Sequence, residues 1–506
     1  MLAARRLLAA TPSGPTESAR RISPFDHGAV GDGIHDDTRA CIEAARAAAS
    51  RGAWLVFPKG TFLLTSQLDI SGAIAGVKGE GGKIRLVNRN GRAGLLIRGL
   101  TRVDPVRRPF LIADLDIECQ VTFTDQAAVL YGIDVEGVHI VNNRIRNVQV
   151  GRGVYLRGTS LGGSGSAARP VGSNVVRNNS IEINALPGID CFGVEVSAER
   201  ALPEGDSAPK DAWLRDFVLP TIPVPAEHNV IEGNEISGGY YGISFIGVRR
   251  SLVQRNRLRG QIRSISIQHA SRANLVLENE LKDSLSTSVH LAYGATDNVV
   301  SENIIRTSRA RGEGLLQAYV GSARNDFYLN DVEALEGGAP KYFIYSAVAS
   351  NENTFWGNRL SGKAARAYVA LESAFNSKTA RRSSRSFGLK GNDDHFTDRG
   401  MYGTRIVGNE INATADVPVL VLAQVGDDRG DYPLLMCELA GNTVRWTGRG
   451  RLLEMSESRA GLLRDIVLLG NAVLPLPRRE QLVLPRGGRH FSSGIDRANI
   501  PELPGI

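Results

Sequence analysis

The 506-residue sequence is poor in aromatic residues and cysteines, and it contains no long apolar run. Aromatic residues make up 6% of the chain, so clustered rings cannot build its core. The cysteines at positions 41, 119, 191 and 437 form no CxxC or other close pair, which argues against a disulfide framework and a structural zinc site. The richest apolar run, residues 417–425, is much shorter than the roughly 18 residues of a membrane-spanning helix, so we expect no membrane span.

The charge balance also lacks a strong sign. Sixty Lys and Arg residues stand against 53 Asp and Glu, and the net charge of +7 is small for this length. Nucleic-acid-binding domains are far more basic, so we expect no nucleic-acid partner, whereas a weakly anionic partner such as an acidic polysaccharide fits. The Leu/Ala stretch near the N-terminus is too short for a convincing signal peptide, and we expect residues 1–21 to form a flexible segment.

Glycine is abundant, and an asparagine phrase recurs from about residue 138. The 56 glycines exceed the usual share of roughly 7% and indicate many turns. The phrase consists of alternating apolar residues followed by Asn-x-(Ile/Leu/Val), and it returns after roughly 22 to 28 positions where no insertion intervenes. Its asparagines are Asn143, Asn179, Asn234, Asn256, Asn279, Asn303, Asn330, Asn358, Asn409, Asn442 and Asn471. A second asparagine often lies five residues earlier, at Asn174, Asn229, Asn274, Asn298, Asn325 and Asn353.

This period predicts a solenoid of short β-strands. A unit of this size cannot bury an apolar face alone, so successive copies must stack and share one core. Asparagine suits the bends because it tolerates left-handed backbone, and its amide can also bond to the copy one coil away. We therefore predict an all-β, single-stranded, right-handed parallel β-helix with coils about 4.8 Å apart. A leucine-rich-repeat solenoid would need a denser leucine pattern.

The N-terminal part predicts a cap on this solenoid. Asp36, Asp37 and Thr38 form a helix-start cluster before a helix at about residues 37–50, and Gly52 can end it. Ile42, Ala45 and Ala49 would share its buried face, and residues 54–62 would form the first strand and turn. The complete division is a β-helix over 22–475, loop insertions at about 158–173, 185–228 and 373–403, and a Pro-rich C-terminal strap over 476–506.

The motif of residues 25–33, with Asp36–Asp37–Thr38 and residues 57–62, resembles the opening module of the pectate-lyase superfamily. That superfamily includes polygalacturonase-like and rhamnogalacturonase-like enzymes and many phage tailspikes. The resemblance implies a parallel β-helix that acts on or binds carbohydrate and is secreted or displayed at a cell surface. It does not select a reaction, since the complete polygalacturonase motif set is missing and only Gly188–Ile189–Asp190 echoes part of it.

Outward-facing carboxylates give a first catalytic hypothesis. Residues that alternate with apolar core positions face outward, and copies on neighbouring coils form rows. Hydrolysis of a glycosidic bond needs two carboxyl groups, and a wide pair two coils apart suits an inverting enzyme. Asp134 with Asp190, or with Glu195 if the register shifts near Gly193, provides such a pair. The alternative is an exposed row of acids, or acids paired with Arg157.

Histidines give a second catalytic hypothesis. His269 and His290 are expected at near-corresponding positions of adjacent coils and would serve a lyase that removes a proton beside a uronate carboxylate. The expected substrate-binding residues are Glu136, Tyr155, Arg157, Gln268, Tyr293 and Tyr319. Ordinary exposed histidines are the alternative.

The combined interpretation is an enzyme that cleaves an acidic polysaccharide within its chain, with a slight preference for hydrolase over lyase. A non-catalytic polysaccharide-binding or tailspike-like protein is the alternative from another class. We expect no cofactor, since residues 391–395 (Gly-Asn-Asp-Asp-His) lack the ligand pattern of a calcium loop. The sequence does not distinguish a monomer from a homotrimer.

Overall fold

Strands account for most of the described chain, and those of neighbouring coils pair in parallel. The computed structural model describes residues 20–72, 74–87, 93–99, 109–120, 128–158, 171–198, 225–310, 312–373, 400–424, 433–458 and 461–484. The chain divides into two compact units. Unit 1 contains residues 1–201 and 222–262, and unit 2 contains residues 202–221 and 263–506. Each unit is a right-handed parallel β-helix, as the asparagine repeat predicts.

A helix and four N-terminal strands begin unit 1. The α-helix Thr38–Arg51 packs against the strands Arg21–Ile22 and Trp54–Leu64 and ends at Gly52, whose φ is 56°. The strand Trp54–Leu64 also pairs with the strands Asp32–Asp36 and Gly76–Leu86. A short 3-10 helix, Pro24–His27, lies between the first two strands. The capping helix and the first long strand of the sequence prediction are thereby confirmed.

Two details of the helix differ from expectation. Asp37 is the N-cap residue, but within the described residues its side chain makes no capping bond; its carboxylate accepts hydrogen bonds from the backbone N–H groups of Val30 and Gly31 at 2.7 and 3.2 Å. The fully buried helix face carries only small residues, so it packs closely. These residues are Ala40, Cys41, Ala44, Ala45 and Ala48, whereas Ile42 and Ala49 are only half-buried.

Each later coil of unit 1 contributes one strand to each of three parallel strips. Strip 1 contains Leu68–Asp69, Ala93–Arg98, Ala128–Ile133, Gly151–Arg157, Cys191–Ser197 and Tyr241–Ile246. Strip 2 contains Phe110–Ala113, Val138–Val141, Val175–Arg177, Val230–Glu232 and Leu252–Gln254. Strip 3 contains Asp116–Cys119, Arg144–Val148, Ser180–Ile183, Glu235–Ser237 and Arg257–Arg259. The short strands Ala226–Glu227 and Val248–Arg249 pair at the corner between strips 1 and 2.

Unit 2 repeats the arrangement. Strip 1 contains Arg263–Gln268, Thr287–Ala292, Gly314–Tyr319, Tyr342–Ala347, Val369–Glu372, Leu420–Ala423, Leu453–Ser456 and Leu482–Val483. Strip 2 contains Leu275–Leu277, Val299–Ser301, Asp326–Tyr328, Thr354–Trp356, Arg405–Val407, Glu438–Ala440 and Val467–Leu469. Strip 3 contains Glu280–Lys282, Ile304–Thr307, Asp331–Ala334, Arg359–Gly362, Glu410–Ala413, Thr443–Trp446 and Ala472–Leu474. The corner strands are Met401–Tyr402, Leu434–Leu435 and Leu463–Arg464, and a 3-10 helix spans Arg479–Gln481.

The repeated asparagines form ladders of buried amides at the corners. Between strips 2 and 3 of unit 2, the Oδ1 of Asn303 accepts from the backbone N–H and the Nδ2 of Asn279, at 3.0 and 2.9 Å. Asn303 in turn donates from Nδ2 to Oδ1 of Asn330 at 2.9 Å. Unit 1 has the same pattern from Asn143 through Asn179. The predicted bonding of an asparagine to its copy one coil away is confirmed in both units, although Asn229 meets Ser251 on the next coil instead.

The left-handed residue of each such corner is the one before the asparagine. These residues are Asn142, Asn178, Gly233, Arg255, Glu278, Glu302, Leu329, Gly357, Gly408, Gly441 and Gly470, with φ between 54° and 64°. The expectation that the ladder asparagine itself adopts the left-handed conformation is therefore wrong. Its side chain instead makes the ladder bonds, and the bend is taken by its neighbour.

Several predicted segments lie outside the described residues. They are residues 1–19, the central parts of the three insertions (159–170, 199–224 and 374–399), the calcium-loop candidate 391–395 and the tail from 485. The strand Leu482–Val483 pairs with Leu453–Ser456, so parallel pairing continues past residue 475. No helix within the described ranges is both long and apolar enough to cross a membrane.

Candidate functional site

An outward row of strip 1 in unit 1 carries aromatic and charged side chains. Leu96, Tyr131, Tyr155, Glu195 and Ser244 occupy the same register position on successive strands. The rings of Tyr131 and Tyr155 stack with centroids 5.1 Å apart and an angle of 1° between their planes. The hydroxyl of Tyr155 is 3.2 Å from that of Ser197. The structure thus brings Tyr155 and Glu195 together on neighbouring coils.

A buried ion pair crosses this row. Arg152 Nε donates to Glu195 Oε2 at 2.9 Å, and the two side chains are only 11% and 4% exposed. The Arg152 guanidinium also lies 4.6 Å from the ring centroid of Tyr155 and 4.7 Å from that of Phe192. Burial and the nearby Glu195 carboxylate raise the pKa of the Tyr155 hydroxyl. Glu195 is therefore engaged by a cation, and sequence reasoning missed Arg152 because Gly153 interrupts the alternation around it.

The predicted pairing of Asp134 with Asp190 is wrong. Asp134 follows the last residue of the strand Ala128–Ile133, whereas Asp190 precedes the first residue of the strand Cys191–Ser197. Those strands are two coils apart. In the aligned register, Asp134 lies at the C-terminal ends of the strip-1 strands and Asp190 at their N-terminal ends. Eight strand positions at about 3.3 Å each exceed the carboxylate spacing of any glycosidase. The alternative partner, Glu195, aligns with Tyr131, three positions before Asp134.

Of the remaining candidates of unit 1, Arg157 and Glu136 lie at or just after the C-terminal ends of strip-1 strands, whereas Asp190 precedes one. Arg157 is half-buried and aligns with Ile133 and Ser197. Glu136 is half-buried and lies in the turn towards strip 2, where it forms a parallel bridge with Gly172. Asp190 is exposed. Their catalytic and binding roles stay predictions.

The histidines of unit 2 occupy different register positions. His290 aligns with Ser266, and its Nδ1 is 3.1 Å from the Ser266 hydroxyl. His269 follows the strand Arg263–Gln268 in left-handed conformation, as Tyr293 follows the next strand, with φ of 51° and 54°. The expectation of corresponding positions for the two histidines is therefore wrong. The step along the chain from His269 to Tyr293 equals the ladder step from Asn279 to Asn303, so Tyr293, and not His290, is the counterpart of His269.

Tyr293 nevertheless contacts both histidines, and Tyr319 contacts His290. The Tyr293 ring stacks on His269 at 4.9 Å and meets the edge of His290 at 6.4 Å. The Tyr319 ring lies 6.5 Å from His290. Both tyrosines are half-buried, whereas His269 and His290 are 5% and 1% exposed. Gln268 is buried in the same row as Tyr319. We call His269, His290, Tyr293 and Tyr319 the His–Tyr cluster.

The electrostatics of this cluster keep one imidazole neutral and one phenol protonated. Burial, together with the charges of Arg263 and His269, holds the pKa of His290 well below its usual value of 6.5, so the ring is neutral at pH 7. Burial and Glu313 raise the pKa of Tyr319 to about 12, so its hydroxyl stays protonated. Pairs of groups whose surroundings push their pKa values apart are typical of acid–base sites.

A tyrosine–glutamate group adjoins the cluster. Tyr345 lies 6.1 Å from the Tyr319 ring and 4.8 Å from the Tyr342 ring. The Tyr342 and Tyr345 hydroxyls each donate at 2.9 Å, to Oε1 and Oε2 of Glu372. Glu372 is 8% exposed. Alternation along one strand gives no sign of this contact, because the two tyrosines and Glu372 lie on neighbouring coils.

Comparisons with known proteins identify the fold. A family model described as "Periplasmic copper-binding protein (NosD)" matches residues 224–385. The N-terminal fragment of gene product 12 of bacteriophage Phi29 has a TM-score of 0.55 at 13% identity, over 90% of this chain and 71% of that one. A mutant tailspike protein of the E. coli bacteriophage HK620, solved with a pentasaccharide, has a TM-score of 0.51 at 12% identity, over 89% and 78%. No curated protein matches the sequence.

The matched family description implies copper, which the described donor groups do not fit. No three His, Cys, Asp or Glu residues converge within the described ranges. The cysteines at 41, 119, 191 and 437 are all buried and free, and burial raises the pKa of each thiol. A thiol that resists ionisation is a poor copper ligand. We therefore derive no copper chemistry from these residues.

Proposed function

We propose that this right-handed parallel β-helix protein binds an acidic polysaccharide on strip 1 of unit 2 and cleaves it by β-elimination. The observation that carries the proposal is the His–Tyr cluster, in which a neutral histidine lies beside two half-buried tyrosines. The tailspike from HK620 with its bound pentasaccharide supports carbohydrate as the ligand class. The periplasmic description of the matched family supports action outside the cytoplasm.

The proposed reaction transfers one proton in each direction. His290 takes the proton from the carbon beside the uronate carboxylate, and that electron pair forms a carbon–carbon double bond as the bond to the glycosidic oxygen breaks. The Tyr319 hydroxyl supplies the proton that the leaving oxygen needs. Arg263, whose charge acts on both His290 and Tyr319, stabilises the negative charge that develops on the carboxylate. No cofactor is required for this step.

The histidine–tyrosine chemistry replaces our sequence preference for hydrolysis. A hydrolase would need two carboxyl groups at a spacing that Asp134 and Asp190 do not have. Glu195 is bound by Arg152 at 2.9 Å, which favours a structural carboxylate over a free nucleophile.

The test is a panel of uronate-containing and neutral polysaccharides, read by ultraviolet absorbance of the unsaturated product and by new reducing ends. We expect both signals on one or more uronate polymers. Tyr319→Phe should lower kcat by a factor of about 100 or more, because it removes the acid without changing ring packing. His290→Gln should have an effect at least as large.

A matched control and three outcomes make this test decisive. Tyr328→Phe changes a half-buried tyrosine of strip 2 and should leave activity unchanged. Reducing ends without the absorbance would replace elimination with hydrolysis. Binding without any cleavage would establish a non-catalytic polysaccharide-binding protein, and full activity of Tyr319→Phe would remove that residue from the mechanism.

A further inference from the structure

Two cationic side chains lie on adjacent coils of unit 2, at the N-terminal ends of strip-1 strands. Lys341 immediately precedes the strand Tyr342–Ala347, and the backbone N–H of Arg366 donates to the carbonyl of Lys341 at 3.1 Å. The two residues are thus neighbours across the coil spacing of about 4.8 Å. Like charges in such neighbouring positions repel each other and destabilise a sheet. The chain nevertheless places both here.

Both cations lie against one ring beside the Glu372 group. Lys341 Nζ is 5.4 Å from the Tyr342 ring centroid, and the Arg366 guanidinium is 5.8 Å from it. Arg366 is 58% exposed, and Lys341 is half-buried. A cation held against an aromatic ring keeps its charge available on the opposite, solvent side. The Tyr342 ring therefore fixes two charges at one place on the surface.

The neighbouring carboxylates are committed to other donors. Glu372 accepts from the two tyrosine hydroxyls, and its nearest approach to Arg366 is 3.9 Å. Glu313 accepts from Gln317 Nε2 at 2.9 Å. Among the described residues, Lys341 makes no ion pair and no side-chain hydrogen bond. Both cations can therefore accept an external anion without first breaking a short ion pair.

We propose that Lys341 and Arg366 form a subsite for the anionic group of an acidic polysaccharide. This inference rests on the proposed function, because it places the polymer on strip 1 next to the His–Tyr cluster. Tyr345, between Tyr319 and Tyr342, connects the cluster to the subsite through stacked rings. A polymer that reaches both would thus present one charged sugar to the subsite and another to the cluster. The ligand chemistry is a carboxylate or a sulfate ester carried on a sugar.

The experiment measures binding of the full chain to three polymers. These are a uronate polysaccharide, the same polymer with its carboxyl groups reduced to alcohols, and a sulfated polysaccharide without uronate. We expect Lys341→Gln and Arg366→Gln each to weaken binding of the uronate polymer about tenfold. Neither variant should weaken binding of the reduced polymer. Tighter binding of the sulfated polymer would assign the subsite to sulfate, and tighter binding of the uronate polymer would assign it to carboxylate.

A matched control and a folding measurement complete the design. Lys363→Gln removes an exposed cation of the same segment that makes no ring contact within the described part of the chain, and it should bind like the parent protein. The thermal unfolding midpoint of both test variants should not fall, because each substitution removes the repulsion between Lys341 and Arg366. Parent-like binding by both test variants, or equal losses for charged and reduced polymers, would overturn the subsite while leaving the proposed function intact. Failure of the parent protein to bind any polymer would overturn both, whereas binding without cleavage would overturn only the elimination mechanism.

Discussion

At the scale of single residues, the corners between strips 2 and 3 separate two tasks that the sequence places side by side. One residue takes a left-handed backbone, and the next residue supplies the ladder amide. Glycine fills the first position at 357, 408, 441 and 470, where the absence of Cβ removes the strain. Leu329 fills it with φ 54° and 48% exposure, so the fold tolerates a side chain there at a cost.

Gly408→Ala should destabilise unit 2 by about 1 kcal/mol. An added Cβ would meet no atom of the described residues within 4 Å, so the cost comes from the backbone alone, whose φ is 63°. Chemical denaturation measures this loss of stability. The control is Asn412→Ala, at an outward position of the strip-3 strand Glu410–Ala413 that follows this corner, and it should change stability by less than about 0.5 kcal/mol. An unchanged midpoint for Gly408→Ala would show that the corner does not require glycine.

His139 should make unit 1 less stable in mild acid. It is 5% exposed between Leu111 and Val175 in register, and burial, aided by Arg177, lowers its pKa from 6.5 to about 4. Below pH 6.5 the unfolded chain binds a proton that the folded chain refuses, so stability falls as the pH drops from 6.5 towards 4. The total loss is about 3 kcal/mol.

His139→Leu should remove that loss. Its Nε2 is buried and has no hydrogen-bond partner among the described residues, so an apolar side chain fits this site. Urea unfolding at pH 7.5 and pH 4.5 measures the difference. His228→Gln replaces a half-buried histidine of the same unit and should retain the parental pH dependence. The same dependence in His139→Leu would contradict the assignment.

At the scale of elements, the asparagine ladder acts like a fourth hydrogen-bonded strip. Its amides are buried, and each one satisfies backbone groups that the corner takes out of the strand pairing. A polar side chain has the same role beside the capping helix, where the Asp37 carboxylate accepts hydrogen bonds from the backbone N–H groups of Val30 and Gly31. Polar side chains thus supply the hydrogen bonds that strand pairing does not provide at these positions.

Asn303→Ala should destabilise unit 2 by about 3 kcal/mol. It removes both donors and acceptor, and leaves the carbonyls of Val276 and Ser301 and the N–H of Asn279 buried without their partner. Asn471→Ala is the control at the end of the described ladder, where the side chain is half-buried and water can replace it. We expect Asn471→Ala to lower the free energy of unfolding by about 1 kcal/mol, as measured by chemical denaturation. Equal effects at both positions would contradict the role of burial.

At the scale of the whole molecule, each coil contacts its immediate neighbours, so stability should add along a unit. Asn303 and Asn442 are four ladder steps apart, or about 19 Å at the coil spacing. The loss of unfolding free energy in their double alanine variant should equal the sum of the losses in the two single variants within about 0.5 kcal/mol.

Directly bonded neighbours should behave differently. Asn330 donates to Asn358 at 2.9 Å, so the two single variants both lose this bond. Their double variant should be less destabilised than the sum by about 1 kcal/mol. Denaturation of the four single and two double variants checks both cases, and coupling as strong for the distant pair as for the bonded pair would contradict nearest-neighbour behaviour.

The fold, the ladders and the capping helix could all be predicted from the amino-acid sequence. Repetition made this possible, because apolar segments that recur with closely spaced asparagines can share a core only by stacking. Where the period is constant, register is also readable: the equal steps from Asn279 to Asn303 and from His269 to Tyr293 pair that histidine with that tyrosine.

Which outward side chains meet was settled by the folded chain alone. Asp134 and Asp190 lie in coils with insertions, which break the period, and alternation does not say at which end of a strand a residue falls. The contacts of Arg152 with Glu195 and of Glu372 with Tyr342 join residues 43 and 30 positions apart. Their cause is the lateral reach of long side chains across stacked coils, which no local pattern records.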